Sequence, residues 1–285
     1  MDAPVLPPLL ATVLAAPQLG LTLAVGAAVG VILGLTGAGG GILAVPLLVF
    51  GLHLPLQQAA PTGLIAVGTA AALAAVLGLR EGIVRYRAAG LMSAFGMVTA
   101  PAGVWLAARL PTTPLLLGFA FLLLLVAWRS LRASAANGDA APPEHPPCQL
   151  DPEQGRLRWT GRCACALGAT GLTSGLLSGL FGVGGGFVIV PALQQVSNID
   201  LRSIQATSLA VIALVSVSGV AAASASGALP WAVALPFGTG VVAALLAARA
   251  LARRLHPGHL RRAFGLLTLA VALMMIARAL GWRIG

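Results

Sequence analysis

Residues 34–46 read GLTGAGGGILAVP: glycines crowd into a stretch that is otherwise apolar enough to enter a bilayer, and a proline closes it. Residues 179–191 read GLFGVGGGFVIVP, 145 positions later, with eight of the thirteen positions identical. The register holds well beyond the motif. At the same offset Thr62 falls on Thr207, Leu64 on Leu209, Gly82 on Gly227, Leu106 on Leu251, Leu110 on Leu255 and Phe119 on Phe264. The chain is therefore a duplicated unit. What has to be explained is why each copy breaks itself in the middle of an apolar segment.

Composition sets the solvent. Of the 285 residues 58% are hydrophobic and 8% charged, and the mean hydropathy is +0.96, far from a soluble domain in which about a quarter of residues are charged. Runs able to cross a hydrocarbon core of ~30 Å fall near 17–36, 57–79, 87–108, 113–131, 163–181, 203–225, 230–250 and 262–281. Two shorter apolar pieces, near 42–52 and 187–196, follow the glycine runs and are half a membrane long. The N-terminal stretch lacks the basic region of a secretory signal, so it is kept in the reading. The polar interlude 133–160, rich in Pro and charge, reads as a cytoplasmic linker between repeats spanning 17–132 and 161–285.

Arginine orients the copies. All seventeen basic residues are Arg, and Arg beside short loops marks the cytoplasmic side. If each broken segment crossed fully, the halves would be parallel and the Arg would divide ten to seven. If each dips in and returns, the halves are inverted and the division is fourteen to three. The second arrangement is expected: an all-α polytopic protein of two inverted repeats. Each repeat is a glycine-broken helix–loop–helix followed by three transmembrane helices, giving about eight spans.

That arrangement gives the breaks a purpose. Non-helical backbone is tolerated at membrane depth only where protein buries it or where it lines a cavity. Helices starting near Ile42 and Phe187 would aim unpaired N–H groups and a positive dipole end at such a cavity, a pattern of secondary transporters that favours an anion. The acids, Asp2, Glu81, Asp139, Glu144, Asp151, Glu153 and Asp200, all lie in the N-terminus or loops. Polar residues close to the breaks include Gln58, Thr62, Gln205, Thr207 and Ser208. Thr62 and Thr207 are expected to open equivalent helices, each able either to bind an oxyanion or to cap its own helix. Close packing of small residues is the competing use of the glycines.

Other chemistries fail at the residue level. Gly37, Gly39 and Ile42 break the spacing of a dinucleotide fingerprint. With no Lys in the chain there is no phosphate-binding P-loop. A serine protease would need a partner for Ser174 or Ser178, and no span carries His. Cys148, Cys163 and Cys165 show neither CxxC nor zinc spacing and are expected to be reduced, unpaired thiols on the cytoplasmic side. The positive charge sits at membrane edges, which suits anionic lipid better than nucleic acid. No catalytic residue, metal or cofactor is expected.

The doubled glycine motif, each copy followed by a Thr-containing segment (APTGL, QATSL) and later by LAARL or LARRL, resembles the TauE/SafE family of sulfite and sulfonate exporters. The resemblance implies a multi-pass carrier of the bacterial inner membrane, not an enzyme, that exports a small sulfur-containing anion, an organosulfonate such as sulfoacetate or sulfite itself. By the same resemblance the substrate-binding positions are Gly39, Gly40, Gly41 and Thr62 with Gly184, Gly185, Gly186 and Thr207, and the structural ones Pro46 and Pro191. Pro230 and Ala232 stand where the first copy has Arg85 and Arg87, so any role of those Arg is one-sided. The alternatives are a small-anion channel and a non-transporting membrane subunit of a sulfur-metabolism complex. The expected partners are the anion, the bilayer and a second copy in a homodimer.

Overall fold

A computed structural model describes residues 16–135, 146–151, 156–157, 160–225, 230–252 and 257–280. Most of these residues are helical. In order come α1 (Ala16–Thr36), a 3-10 segment (Gly37–Leu43), α2 (Ala44–Gly51), α3 (Leu56–Arg80), α4 (Tyr86–Arg109) and α5 (Thr112–Ala135). The second half has α6 (Gly161–Phe181), α7 (Gly186–Val196), α8 (Leu201–Ala225), α9 (Trp231–Ala252) and α10 (Pro257–Ala279). A two-residue ladder, β1 (Leu150–Asp151) with β2 (Arg156–Leu157), sits between them. Most of the expected linker, at 136–145, 152–155 and 158–159, lies outside the described residues, as does Gly227.

Eight of these helices are long and apolar enough to cross a membrane. Their ends fall within a few residues of the hydropathy runs, because an apolar backbone in lipid has to satisfy its own N–H and C=O groups and helix is the local way to do so. Prolines sit inside α3 (Pro61), α4 (Pro101), α7 (Pro191) and α9 (Pro236) without ending them. Pro55 and Pro230 instead lie just ahead of α3 and α9, their carbonyls accepting the first helical N–H bonds. Trp105 stacks under Arg109 near the end of α4, and Trp128 under Arg132 near the end of α5, each guanidinium 3.9 Å from the ring centre. Such pairs are what a membrane–water interface selects.

The two halves are interleaved. α1 of the first half packs against α9 of the second, and α6 of the second packs against α4 of the first. Gly26 and Gly30 lie on the carbonyls of Phe237 and Val241, while their counterparts at the 145-residue offset, Gly171 and Gly175, lie on those of Met92 and Gly96. Small residues let these backbones approach in both pairs, a packing that needs no hydrophobic effect. α3 and α8, the two most buried spans, cross at the centre.

Contacts at the helix ends place the two short helices. Gly51, the last residue of α2, lies beside Val25 near the middle of α1, and Phe50 lies under the guanidinium of Arg278. In the second half Cys148, just ahead of α6, takes the carbonyl of Val196 at the end of α7 with its N–H (2.9 Å). The thiols depart from expectation: Cys148 and Cys163 form a disulfide, and Cys165 is free and exposed. The cause is local. Thr160 caps α6 by accepting the N–H of Cys163 (3.2 Å) and donates to the carbonyl of Pro147 (3.2 Å), which folds the linker end back onto the helix start.

Candidate functional site

The second glycine run makes a true break. α6 stops at Phe181, whose ring stacks on Phe119 with centres 5.2 Å apart. Gly182 then turns left-handed (φ 71°) and donates its N–H to the carbonyl of Ser178 at 2.8 Å. Gly184 and Gly185 are also left-handed (φ 75° and 72°), and Gly185 opens α7. Three left-handed residues in four positions are within reach of glycine and few others. Neighbours enforce the same choice: a Cβ on Gly182 would fall on the carbonyl of Ala60, and one on Gly185 on the hydroxyl of Ser174. Ser174 donates that hydroxyl to the carbonyl of Gly185 at 3.3 Å.

The first glycine run departs from the expected loop. Gly37–Leu43 winds as a 3-10 helix that passes directly into α2, and neither Gly40 nor Gly41 has a positive φ. The bend is thus a change of helix type, which often marks a hinge or a strained stretch. Its entry is held by Gln205, which donates from Nε2 to the carbonyl of Thr36 at 3.2 Å.

The two runs meet. A Cβ on Gly41 would stand 3.1 Å from the carbonyl of Val183 and 2.9 Å from Val67 of α3, and one on Gly184 would stand 2.7 Å from Ile212 of α8. Val67 and Ile212 are themselves 145 positions apart and wholly buried. The glycine junction is therefore clamped between equivalent aliphatic side chains of the two crossing helices. These two residues were missing from the sequence-based set, although the offset pairing of the copies contained them.

The polar candidates fare unevenly. Thr62 and Thr207 are buried but sit at the seventh position of α3 and α8 instead of opening them, because Pro55 and the Asp200 cap start those helices further back. Thr62 donates to the carbonyl of Gln58 in its own helix (2.7 Å), whereas Thr207 accepts the main-chain N–H of Arg85 from the other half (3.0 Å). Ser208 is fully buried and its hydroxyl has no hydrogen-bond partner, as is also true of Ser178. Gln58 is exposed at the start of α3, away from the junction. Pro46 and Pro191 lie within α2 and α7.

Charge gathers at one end of α8. Arg202 pairs with Glu81 at 2.8 Å, joining the two halves. Asp200 accepts the N–H of Ser203 at 3.0 Å. Burial pushes the Asp200 carboxyl up, but the hydrogen bonds from Ser203 and the charge of Arg85 outweigh it and hold the group below the usual carboxylate range. The equivalent positions of the first half, Pro55 and Gln57, carry no charge. There an open, mostly apolar pocket is lined by Gln57, Ala60, Leu64, Ala107, Gly179 and Gly182 among others. No charged side chain lines it.

Sequence comparison agrees with this architecture. The profile of the family described as Sulfite exporter TauE/SafE matches residues 22–275. A protein named "Probable membrane transporter protein" from Xylella fastidiosa strain Temecula1 is 30% identical over 263 residues, covering 91% of this chain and 95% of the relative. A protein of the same name from strain 9a5c is 29% identical over the same coverage. No solved structure was found to match the chain. With its doubled glycine motif and eight apolar spans, the chain belongs to the sulfite exporter TauE/SafE family of multi-pass inner-membrane transporters.

Proposed function

We propose that this transporter is a secondary carrier that exports a small sulfur-containing anion, an organosulfonate or sulfite, by alternating access between two oppositely oriented halves. The observation that carries the reading is the meeting of the two glycine runs, Gly41 against Val183, between the equivalent residues Val67 and Ile212. Gly39, Gly40, Gly41, Gly184, Gly185 and Gly186 would present main-chain N–H groups to the anion, with α7 contributing the positive end of its dipole. Buried Ser208 and half-buried Gln205 add hydroxyl and amide donors on the second side.

Orientation and sign support it. The end of α7 bonds Cys148, which is joined to Cys163 at the start of α6, and the end of α2 lies back beside the middle of α1, which fits segments that dip in and turn back. Among the described residues no carboxylate lies within a spanning helix to repel an anion. Glu81 and Arg202 join the two halves at the start of α8, while the uncharged start of α3 borders the pocket, an asymmetry that supports the reading.

Counterflow in proteoliposomes tests this. Saturable exchange of labelled sulfoacetate, competed by sulfite and taurine but not by acetate or chloride, is the expected result. Flux without saturation or counterflow would make the protein a channel. No exchange of any sulfur anion by folded protein would remove the assignment.

A further inference from the structure

The second hairpin carries a tie that the first lacks. Cys148 is bonded to Cys163 in the first turn of α6, and its main-chain N–H donates to the carbonyl of Val196 at the end of α7 (2.9 Å), beside a bridge to Ser197. One residue ahead of α6 thus joins the outer ends of both helices that flank the Gly182–Gly185 break. All three cysteines lie between 148 and 165, and Gln18 stands where Cys163 falls in the second copy, so the first hairpin has no equivalent. The tie sits at the arginine-rich end. From α7 the chain reaches α8 within five residues, and the start of α8 pairs Arg202 with Glu81 and takes the N–H of Arg85 on Thr207. Arginine beside short loops marks the cytoplasmic side, where thiols are kept reduced and the disulfides that do form are usually transient, catalytic or redox-sensing.

Local chemistry favours opening. Cys163 lies at a helix N-terminus next to Arg162, so the positive end of the dipole stabilises the sulfur that leaves when the bond is cut. Both bonded cysteines are buried, so an attacking thiol waits until the linker end lifts, which breaks the Thr160–Pro147 and Cys148–Val196 hydrogen bonds. Cys165 is exposed, but it is two positions from Cys163 along the helix and faces away from it. We infer that Cys148–Cys163 is a reversible redox clasp on the second hairpin, opened by cytosolic monothiols. One monothiol attacks the Cys148 sulfur and Cys163 leaves and takes up a proton; a second releases Cys148, giving two protein thiols and one small-molecule disulfide. Closed, the clasp holds α7 against α6 and slows any cycle that moves the Gly182–Gly185 break; open, it frees that motion. Its effect on transport rests on the carrier reading above, whereas the clasp itself does not.

The test uses the full chain with Cys165→Ser, in nanodiscs and in proteoliposomes, equilibrated with glutathione mixtures from fully reduced to fully oxidised. Acid quenching and a thiol-specific mass tag count the thiols, and hydrogen–deuterium exchange reads residues 186–197. Two tags in the reduced mixtures and none in the oxidised ones are expected, with amide exchange in α7 faster by more than about tenfold in the reduced protein. Counterflow of labelled sulfoacetate should be slower in the oxidised protein. Cys148→Ser combined with Cys163→Ser should behave as the reduced form in every mixture. A bond that persists in all of them would be a permanent staple and overturn the inference, as would thiols that never pair. Equal α7 exchange in the two forms, or equal counterflow, would overturn the regulatory role. If neither form exchanges any sulfur anion, the carrier reading falls, and the tag count with α7 exchange still decides the clasp.

Discussion

The two glycine runs share eight of thirteen residues and do different things. The second breaks its helix with three left-handed residues, while the first stays right-handed and tightens into a 3-10 helix. Their surroundings differ in the same sense. The second run is gripped by Ser174 from its own half, with Phe181 just ahead of it stacked on Phe119 of the first half, and the first run is gripped by Gln205 from the other half. Sequence duplication thus conserves the places where backbone must come close and leaves the local conformation to the neighbours.

The largest test of that difference is a methyl group. Gly184→Ala meets both Ile212 and a left-handed φ, which costs about 1–2 kcal/mol by itself, plus overpacking of roughly 1–3 kcal/mol. Gly41→Ala meets only Val67 and the Val183 carbonyl. Combining Gly41→Ala with Val67→Ala should restore much of the lost thermal stability and counterflow, whereas Gly184→Ala with Ile212→Ala should not. Equal rescue of both would mean that the two runs are conformationally equivalent.

Next come the paired threonines. Thr207→Val removes the acceptor for the Arg85 N–H across the halves, an expected loss of about 1–3 kcal/mol. Thr62→Val removes a bond made within one helix turn and leaves no main-chain N–H from the other half unpaired, so it should cost less, about 0.5–1 kcal/mol. Thermal unfolding of the two variants side by side decides this, and a larger loss for Thr62→Val would reverse the assignment.

A smaller effect separates the two grips. Gln205→Ala frees the Thr36 carbonyl and should cost about 1 kcal/mol. Ser174→Ala, which loses a longer bond, should cost less. Protease sensitivity of the first hairpin should rise only in the Gln205 variant.

The smallest effect is electrostatic and confined to the charged end. Asp200 has a folded pKa below its unfolded value, so its contribution is present above the unfolded pKa and is lost as pH falls through the folded one. Asp200→Asn should therefore lower stability slightly at neutral pH and leave it unchanged at pH below the folded pKa, which flattens the acid side of the profile. Glu81–Arg202 is largely exposed, so salt should weaken it and its loss should be worth less than about 1 kcal/mol.

Much of this was readable in advance because lipid simplifies the problem. Apolar runs had to be helices, and the 145-residue offset carried over into which helices touch. Three things were not readable. The motif could not tell a left-handed break from a 3-10 bend, since glycine permits both. The positions of Thr62 and Thr207 depended on where Pro55 and Asp200 start their helices. The Cys148–Cys163 bond depended on Thr160 and Pro147 folding the linker back, and a separation of 15 residues carries no signature of that.

Interleaving of the halves also sets an order of biogenesis. When α1 leaves the ribosome its packing partner α9 has yet to be translated, and at about 5–20 residues per second the wait lasts on the order of ten to forty seconds. When α6 emerges, α4 is already in the bilayer. The first hairpin must therefore survive as an unpacked guest of the lipid or the insertion machinery, while the second docks as it is made. The last spans to be translated complete the first.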